Sequence, residues 1–270
     1  MGSAFWMYDA TLYVYALSLL FYFSDFVSFN RRANRVGAGL LLFVWLLQTG
    51  YLISRIIIDS GEWSRAPFSN LFIFSWLLVT VSIIIDRFFY IEFVVFFANV
   101  IGFAMLALSF YSTPTPGQPF ELWQTTKELL FVHISLVFPA FVSLTIGALL
   151  SGMYMFLHNR LKAKRWTSMV RRFPSLETID RYIERTVIIG VPLLTLSLAV
   201  AITSLFVEGR PQLILDWKVL TALIGLLLYV RYIYLRAVAK FSGMKLSKLF
   251  LLGYVMLVLN AATDSFSSFH

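Results

Sequence analysis

The chain has 270 residues, 59% of them hydrophobic, 17% aromatic and only 13% charged. A soluble domain of this length cannot cover so much apolar surface, which leaves an all-α, polytopic integral membrane bundle forming a single domain over 1–270. The formal net charge is +8, but the basic residues flank apolar runs, so the excess reports topology and no nucleic-acid partner is expected.

A helix needs about 20 apolar residues to cross the hydrocarbon core. Eight runs meet that need: 9–29, 37–58, 69–86, 91–111, 129–157, 186–207, 217–236 and 248–268. Residues 1–8 hold no Lys or Arg, unlike the basic start of a cleaved signal, so the first run is expected to stay as a span. The third run is short and ends on Asp86 and Arg87, whereas the fifth is long enough to tilt or to extend past the bilayer.

Between the fifth and sixth runs lies the basic loop 158–185, which cannot sit in lipid and is expected on the cytoplasmic side. With that loop inside, the alternating runs put sixteen of the 22 Lys and Arg residues on the inner side and four on the outer, with Arg55 and Arg231 inside spans. The division predicts both termini outside, in the cell (plasma) membrane.

Two loops have a character of their own. Residues 112–126 carry three prolines and a glycine, so an irregular outer loop is expected, with 120–126 as a short cap anchored by Trp123. On the inner side, Pro174 and Ser175 precede Leu176, Ile179 and Ile183. That pattern reads either as a capped, amphipathic interfacial helix or as a plain connector between bundle halves. No internal repeat stands out.

Chemistry-bearing residues are few. Asp25, Asp86, Arg87 and Arg231 lie within a turn or two of the inner surface, where long side chains snorkel. Gln48 and Asn99 are deeper and uncharged, as expected of helix-to-helix hydrogen bonds. No chain of carboxylates crosses the membrane, and no nucleophile, phosphate-binding or zinc motif is present, so no catalytic residue is assigned and the protein is not expected to be an enzyme. The absence of cysteine excludes disulfides, thiolate metal sites and covalent haem attachment.

The three histidines say more. His158 falls at the inner end of the fifth run, as an interfacial polar residue. His133, near the outer start of that run, and His270, past the outer end of the eighth, share one membrane face by topology. Neutral imidazoles are good axial ligands for haem iron, and two complete its coordination, although interfacial histidines also coincide by chance.

In order along the chain, several segments resemble the cytochrome c assembly (CcsA-type) membrane proteins, and most of all their smaller HemX-like members. Arg65-Ala66-Pro67-Phe68-Ser69-Asn70-Leu71-Phe72, followed by Phe74-Ser75-Trp76, resembles an early outer segment of the family. His133 resembles its first external haem ligand. Pro174-Ser175-Leu176-Glu177 with Asp180 and Arg185 resembles an inner element, and Asp216-Trp217-Lys218 the end of a tryptophan-rich outer loop. Asn260, Phe269 and His270 resemble the family's closing segment with its second external ligand.

The departures are equally specific. The tryptophan-rich outer signature keeps only Asp216, Trp217 and Lys218, and Tyr234 stands where larger members carry a haem-binding histidine within the membrane. The resemblance therefore implies haem as cofactor, with His133 and His270 as axial ligands to the iron and Trp217, Trp63 and Trp123 as packing partners. Asp216 either faces a porphyrin edge or caps the seventh span. The implied role is an accessory or regulator of haem biosynthesis acting on the level of glutamyl-tRNA reductase, with the basic inner loop as the surface for a cytosolic partner. Two alternatives remain: a cytochrome c biogenesis component that presents haem beside a thiol-bearing partner, and a small-molecule permease without haem.

Overall fold

The computed structural model describes residues 2–28, 30–58, 67–89, 91–111, 124–164, 170–239, 241 and 243–262. Among the described residues, eight α-helices occupy the places of the eight apolar runs: α1 Gly2–Ser28, α2 Arg31–Ile58, α3 Pro67–Phe88, α4 Glu92–Tyr111, α5 Gln124–Lys162, α6 Leu176–Val207, α7 Trp217–Ala237 and α8 Met244–Ala262. No strand occurs among the described residues. From α2 to α8, seven helices contain, among the described residues, stretches long and apolar enough to cross a membrane.

The burial pattern is that of a protein solvated by lipid. Ser18, Gln48, Ser75, Asn99, Thr145 and Ser197 are buried, while Leu20, Leu46, Ile188, Leu196, Leu227 and Val255 are exposed. In a bilayer each buried polar group needs an internal partner, while apolar side chains face outward at no cost. The chain is a multi-pass helical membrane protein.

Helix ends follow from local chemistry. Asn30 caps α2, its Oδ1 accepting from the Arg32 backbone N–H at 3.0 Å. Proline opens α3, at a position where its missing N–H has no intrahelical partner to lose. Ser175 caps α6, accepting from the Thr178 N–H at 3.2 Å. The amphipathic stretch after Pro174 is thus a capped helix, as one of its two readings has it, and it forms the first turns of α6, with Ile179 and Ile183 buried. Residues 124–126, expected in a cap on the membrane face, open α5 instead, and 112–123 lie outside the described residues.

The contacts group the chain into two compact units, Met1–Pro119 and Phe120–His270. In the first, α1 packs on α2 and α4, and α3 on α2 and α4, closing a four-helix ring. Hydrogen bonds tie this ring together. Tyr15 donates to Asn99 Oδ1 at 3.0 Å, Ser18 to the Gly37 carbonyl at 2.9 Å, and Gln48 to Ser75 Oγ at 3.3 Å. Gln48 and Asn99 therefore act as helix-to-helix bonds, as their depth in the runs suggested. Tyr8 adds bonds to the Ser109 hydroxyl and the Leu106 carbonyl.

Between α2 and α3 the bonding is reciprocal. Trp45 donates to Thr80, and Trp76 to Thr49, each at 3.0 Å. Both threonines sit four residues after their tryptophan and donate back to its carbonyl, at 2.7 Å for Thr49 and 2.8 Å for Thr80. The two tryptophans stand in matching segments, LFVWLLQT at 42–49 and IFSWLLVT at 73–80, a repeat too short for a search on whole-span periods.

The second unit closes in the same cyclic order, with α5 against α6 and α8, and α7 against α6 and α8. Among its described glycines the closest approach is at Gly147 of α5, where a Cβ would run into the Phe250 ring and the Thr186 hydroxyl. Ser143 on the same helix donates to the Thr186 carbonyl at 3.0 Å. These contacts seat α5 against both neighbours and fix which turns of α5 and α6 face each other.

Candidate functional site

That register brings His133, in the early turns of α5, beside Ser197, toward the end of α6. The His133 Nδ1 lies 2.9 Å from the Ser197 carbonyl oxygen and 2.9 Å from the Ser197 hydroxyl. The Ser197 hydroxyl in turn donates to the His133 carbonyl at 3.2 Å. Ser197 is 1% exposed, and His133 is partly exposed.

A carbonyl oxygen only accepts, so this contact is a hydrogen bond when Nδ1 carries the proton. Among the described residues none hydrogen-bonds Nε2. A histidine that donates its Nδ1–H to a backbone carbonyl is oriented to coordinate through Nε2, the arrangement usual behind metal-ligating imidazoles.

At the start of α7 the three residues of the degraded outer signature divide their work. Asp216 is the N-cap of α7, its Oδ1 accepting from the Lys218 N–H at 2.9 Å. Of the two roles open to it in the sequence, capping is the one its geometry shows. Trp217 is 63% exposed. Lys218 carries the charge within electrostatic reach of the His133 ring. Asn260, in the last turn of α8, donates to the Lys218 carbonyl at 2.5 Å and to Thr221 Oγ1 at 2.9 Å, pinning the end of α8 to the first turn of α7.

His270, Trp63 and Trp123 lie outside the described residues. The structure therefore brings His133 together with Ser197 and within the field of Lys218, and places Asp216 and Trp217 at the start of α7. His158 stacks on Tyr154, with ring centroids 6.2 Å apart and planes at 17°, as a side chain near the other end of α5. Tyr234 is exposed. Among the described residues no group of three or more His, Cys, Asp or Glu side chains forms a metal site; axial ligation of a haem iron asks for no such group.

At the end of the unit remote from His133, Arg236 of α7 bridges two carboxylates of α6. It meets Asp180 Oδ2 at 2.5 Å and Glu184 Oε2 at 2.9 Å. Asp180 and Glu184 are one helical turn apart, so a single guanidinium spans both. This clasp was not legible as a pairing, although acidic residues at that spacing inside a basic loop are a signal that could have revealed it. Ser197 carried no signal: it is an ordinary serine in an apolar run, and only the α5–α6 register brings it to His133.

A multi-pass helical membrane bundle, with a histidine hydrogen-bonded between two of its helices, is the class of protein that fold and site define. The family model described as cytochrome C assembly protein matches residues 63–263, and the chain belongs to that family. Within it the chain is HemX-like. It is 34% identical to "Protein HemX" of Brevibacillus brevis over 270 residues, covering 100% of this chain and 99% of that protein. It is 35% identical to "Protein HemX" of Bacillus subtilis (strain 168) over 240 residues, covering 87% of this chain and 85% of that protein. No solved structure gives a significant match.

Proposed function

We propose that this protein binds haem at its outer face through His133 and His270 and serves, without catalysing a reaction, as an accessory or regulator of haem biosynthesis. The observation that carries the reading is the Nδ1 contact of His133 with the Ser197 carbonyl, which leaves Nε2 uncommitted. Haem supplies an iron whose axial positions take neutral imidazole. The residues present suit that group: His133 offers a nitrogen donor, and Trp217 an exposed aromatic face. His270 follows the end of α8 by eight residues, a length that covers at most about 26–29 Å when extended. The orientation that goes with this reading, with both termini outside, rests on the distribution of Lys and Arg.

The test is an absorption spectrum of the detergent-purified protein with added haem, for the wild type, His133→Ala and His270→Ala. Sharp bis-histidine bands in the reduced wild type, lost in both variants, are the expected result. Spectra in all three that match free haem would sink the ligand assignment.

A second reading, a cytochrome c biogenesis component that presents haem beside a thiol-bearing partner, is favoured by the family match itself. The two separate in cells lacking the protein. Altered glutamyl-tRNA reductase level with normal c-type cytochromes supports regulation, and loss of c-type cytochromes supports biogenesis. A permease without haem predicts a protein that binds none.

A further inference from the structure

We infer that Ser197 is the positioning residue for His133: it holds the imidazole as the Nδ1–H tautomer and thereby presents Nε2 as the free electron-pair donor. The inference rests on the haem reading above for the identity of the metal group.

The argument starts from which atoms accept and which donate. Two oxygens of one residue lie 2.9 Å from the same ring nitrogen. The Ser197 carbonyl offers lone pairs only, so an unprotonated Nδ1 would face it lone pair to lone pair. The Ser197 hydroxyl has one proton and directs it at the His133 carbonyl, at 3.2 Å. It therefore meets Nδ1 as a second acceptor. In the neutral ring a proton on Nδ1 leaves Nε2 bare, which is the form that coordinates iron.

The serine hydroxyl has a further task. Its bond to the His133 carbonyl ties the Ser197 side chain to the backbone of α5, so the Ser197 carbonyl cannot drift far from the ring without straining it. Ser197 is 1% exposed, so its own hydroxyl is shielded from bulk water. Alanine at 197 keeps the carbonyl but removes the tie, whereas threonine keeps both.

The experiment reads the tautomer directly, without haem. Nitrogen NMR of ring-labelled histidine in the full-length apoprotein, with His158→Gln and His270→Gln removing the other two signals, reports which nitrogen of His133 bears the proton. The expected ring has a protonated Nδ1 and an unprotonated Nε2. Adding Ser197→Ala should mix in the Nε2–H form, and Ser197→Thr should restore the parent pattern. Haemin titration of proteins that keep all three histidines should show affinity at least about tenfold weaker for Ser197→Ala and near the parent for Ser197→Thr, the usual scale for outer-shell partners of a ligand.

An Nε2–H ring in the protein that keeps Ser197 overturns the inference without any variant at 197 having to fold. So does a Ser197→Ala protein that matches its parent in both tautomer and affinity. The haem reading fails separately, if His133→Ala binds haem like the parent, and the apoprotein spectrum then still decides what Ser197 does.

Discussion

The indole of Trp45 donates to the hydroxyl of Thr80 across the α2–α3 contact, and Trp76 returns the bond through Thr49, both at 3.0 Å. Because each threonine already donates its own proton to the carbonyl four residues earlier, it meets the indole as an acceptor and the four groups satisfy one another. In lipid such a closed set is worth more as alignment than as energy, since interhelical bonds in membranes average about 0.6 kcal/mol. Trp45→Phe is expected to lower unfolding free energy in a detergent titration by about that amount beyond its loss of packing. The Trp45→Phe/Thr80→Val cycle should show a coupling of similar size. A coupling indistinguishable from zero would mean the bond adds nothing to holding α2 on α3.

Arg236 should be harder to replace. It satisfies Asp180, whose side chain is 14% exposed, and Glu184, at 39%, so removing it leaves two carboxylates facing an empty position. Hydrogen bonds to charged partners are worth about 1.5–3 kcal/mol. Arg236→Met is expected to cost at least that, and Asp180→Asn more than Glu184→Gln, because the less exposed acid has less water to fall back on. Lysine, a point charge without the planar fork, should recover part of the loss but not bridge both acids. Thermal unfolding of the purified variants checks the order.

Two glycines of α5 make opposite predictions. A Cβ at Gly147 meets the Phe250 ring and Thr186 hydroxyl, and Phe250 is fully buried, so there is no open side to which the ring can move. Gly147→Ala is expected to destabilise by about 1–3 kcal/mol through overpacking. At Gly152 a Cβ meets nothing within 4 Å. There Gly152→Ala should stabilise by up to about 1 kcal/mol, the helix-propensity difference. Equal effects at both sites would show that the α5–α8 approach is looser than its geometry.

The spans were legible because length and apolarity are forced by the bilayer and need no tertiary information. What sequence could not supply was register. His133 stood out because it is a histidine near one end of a run, but its partner is 64 residues away on another helix. Nothing local marks Ser197 off from Ser143 or Ser204. The continuity of α6 was hidden for a related reason. The charges at 177–185 end the apolar run in the sequence, whereas a single helix runs from Leu176 to Val207, with Arg236 of α7 paired to Asp180 and Glu184.

Asp216 gives the sharpest separation of structure from cofactor. Its side chain accepts the Lys218 N–H at 2.9 Å, satisfying one of the donors a helix start leaves unpaired. Replacing such a cap by alanine costs about 1 kcal/mol, while serine or asparagine keeps most of it. Asp216→Ala should therefore lower stability by that amount, with Asp216→Asn near the parent. If capping is its whole role, haem affinity measured on the folded fraction stays unchanged in both variants, although Lys218 and His133 lie close by. A haem affinity that falls in Asp216→Asn, where the cap survives but the charge does not, would instead assign the carboxylate to the porphyrin edge. The comparison turns on a single variant pair, read by thermal unfolding and by haemin titration on the same preparations.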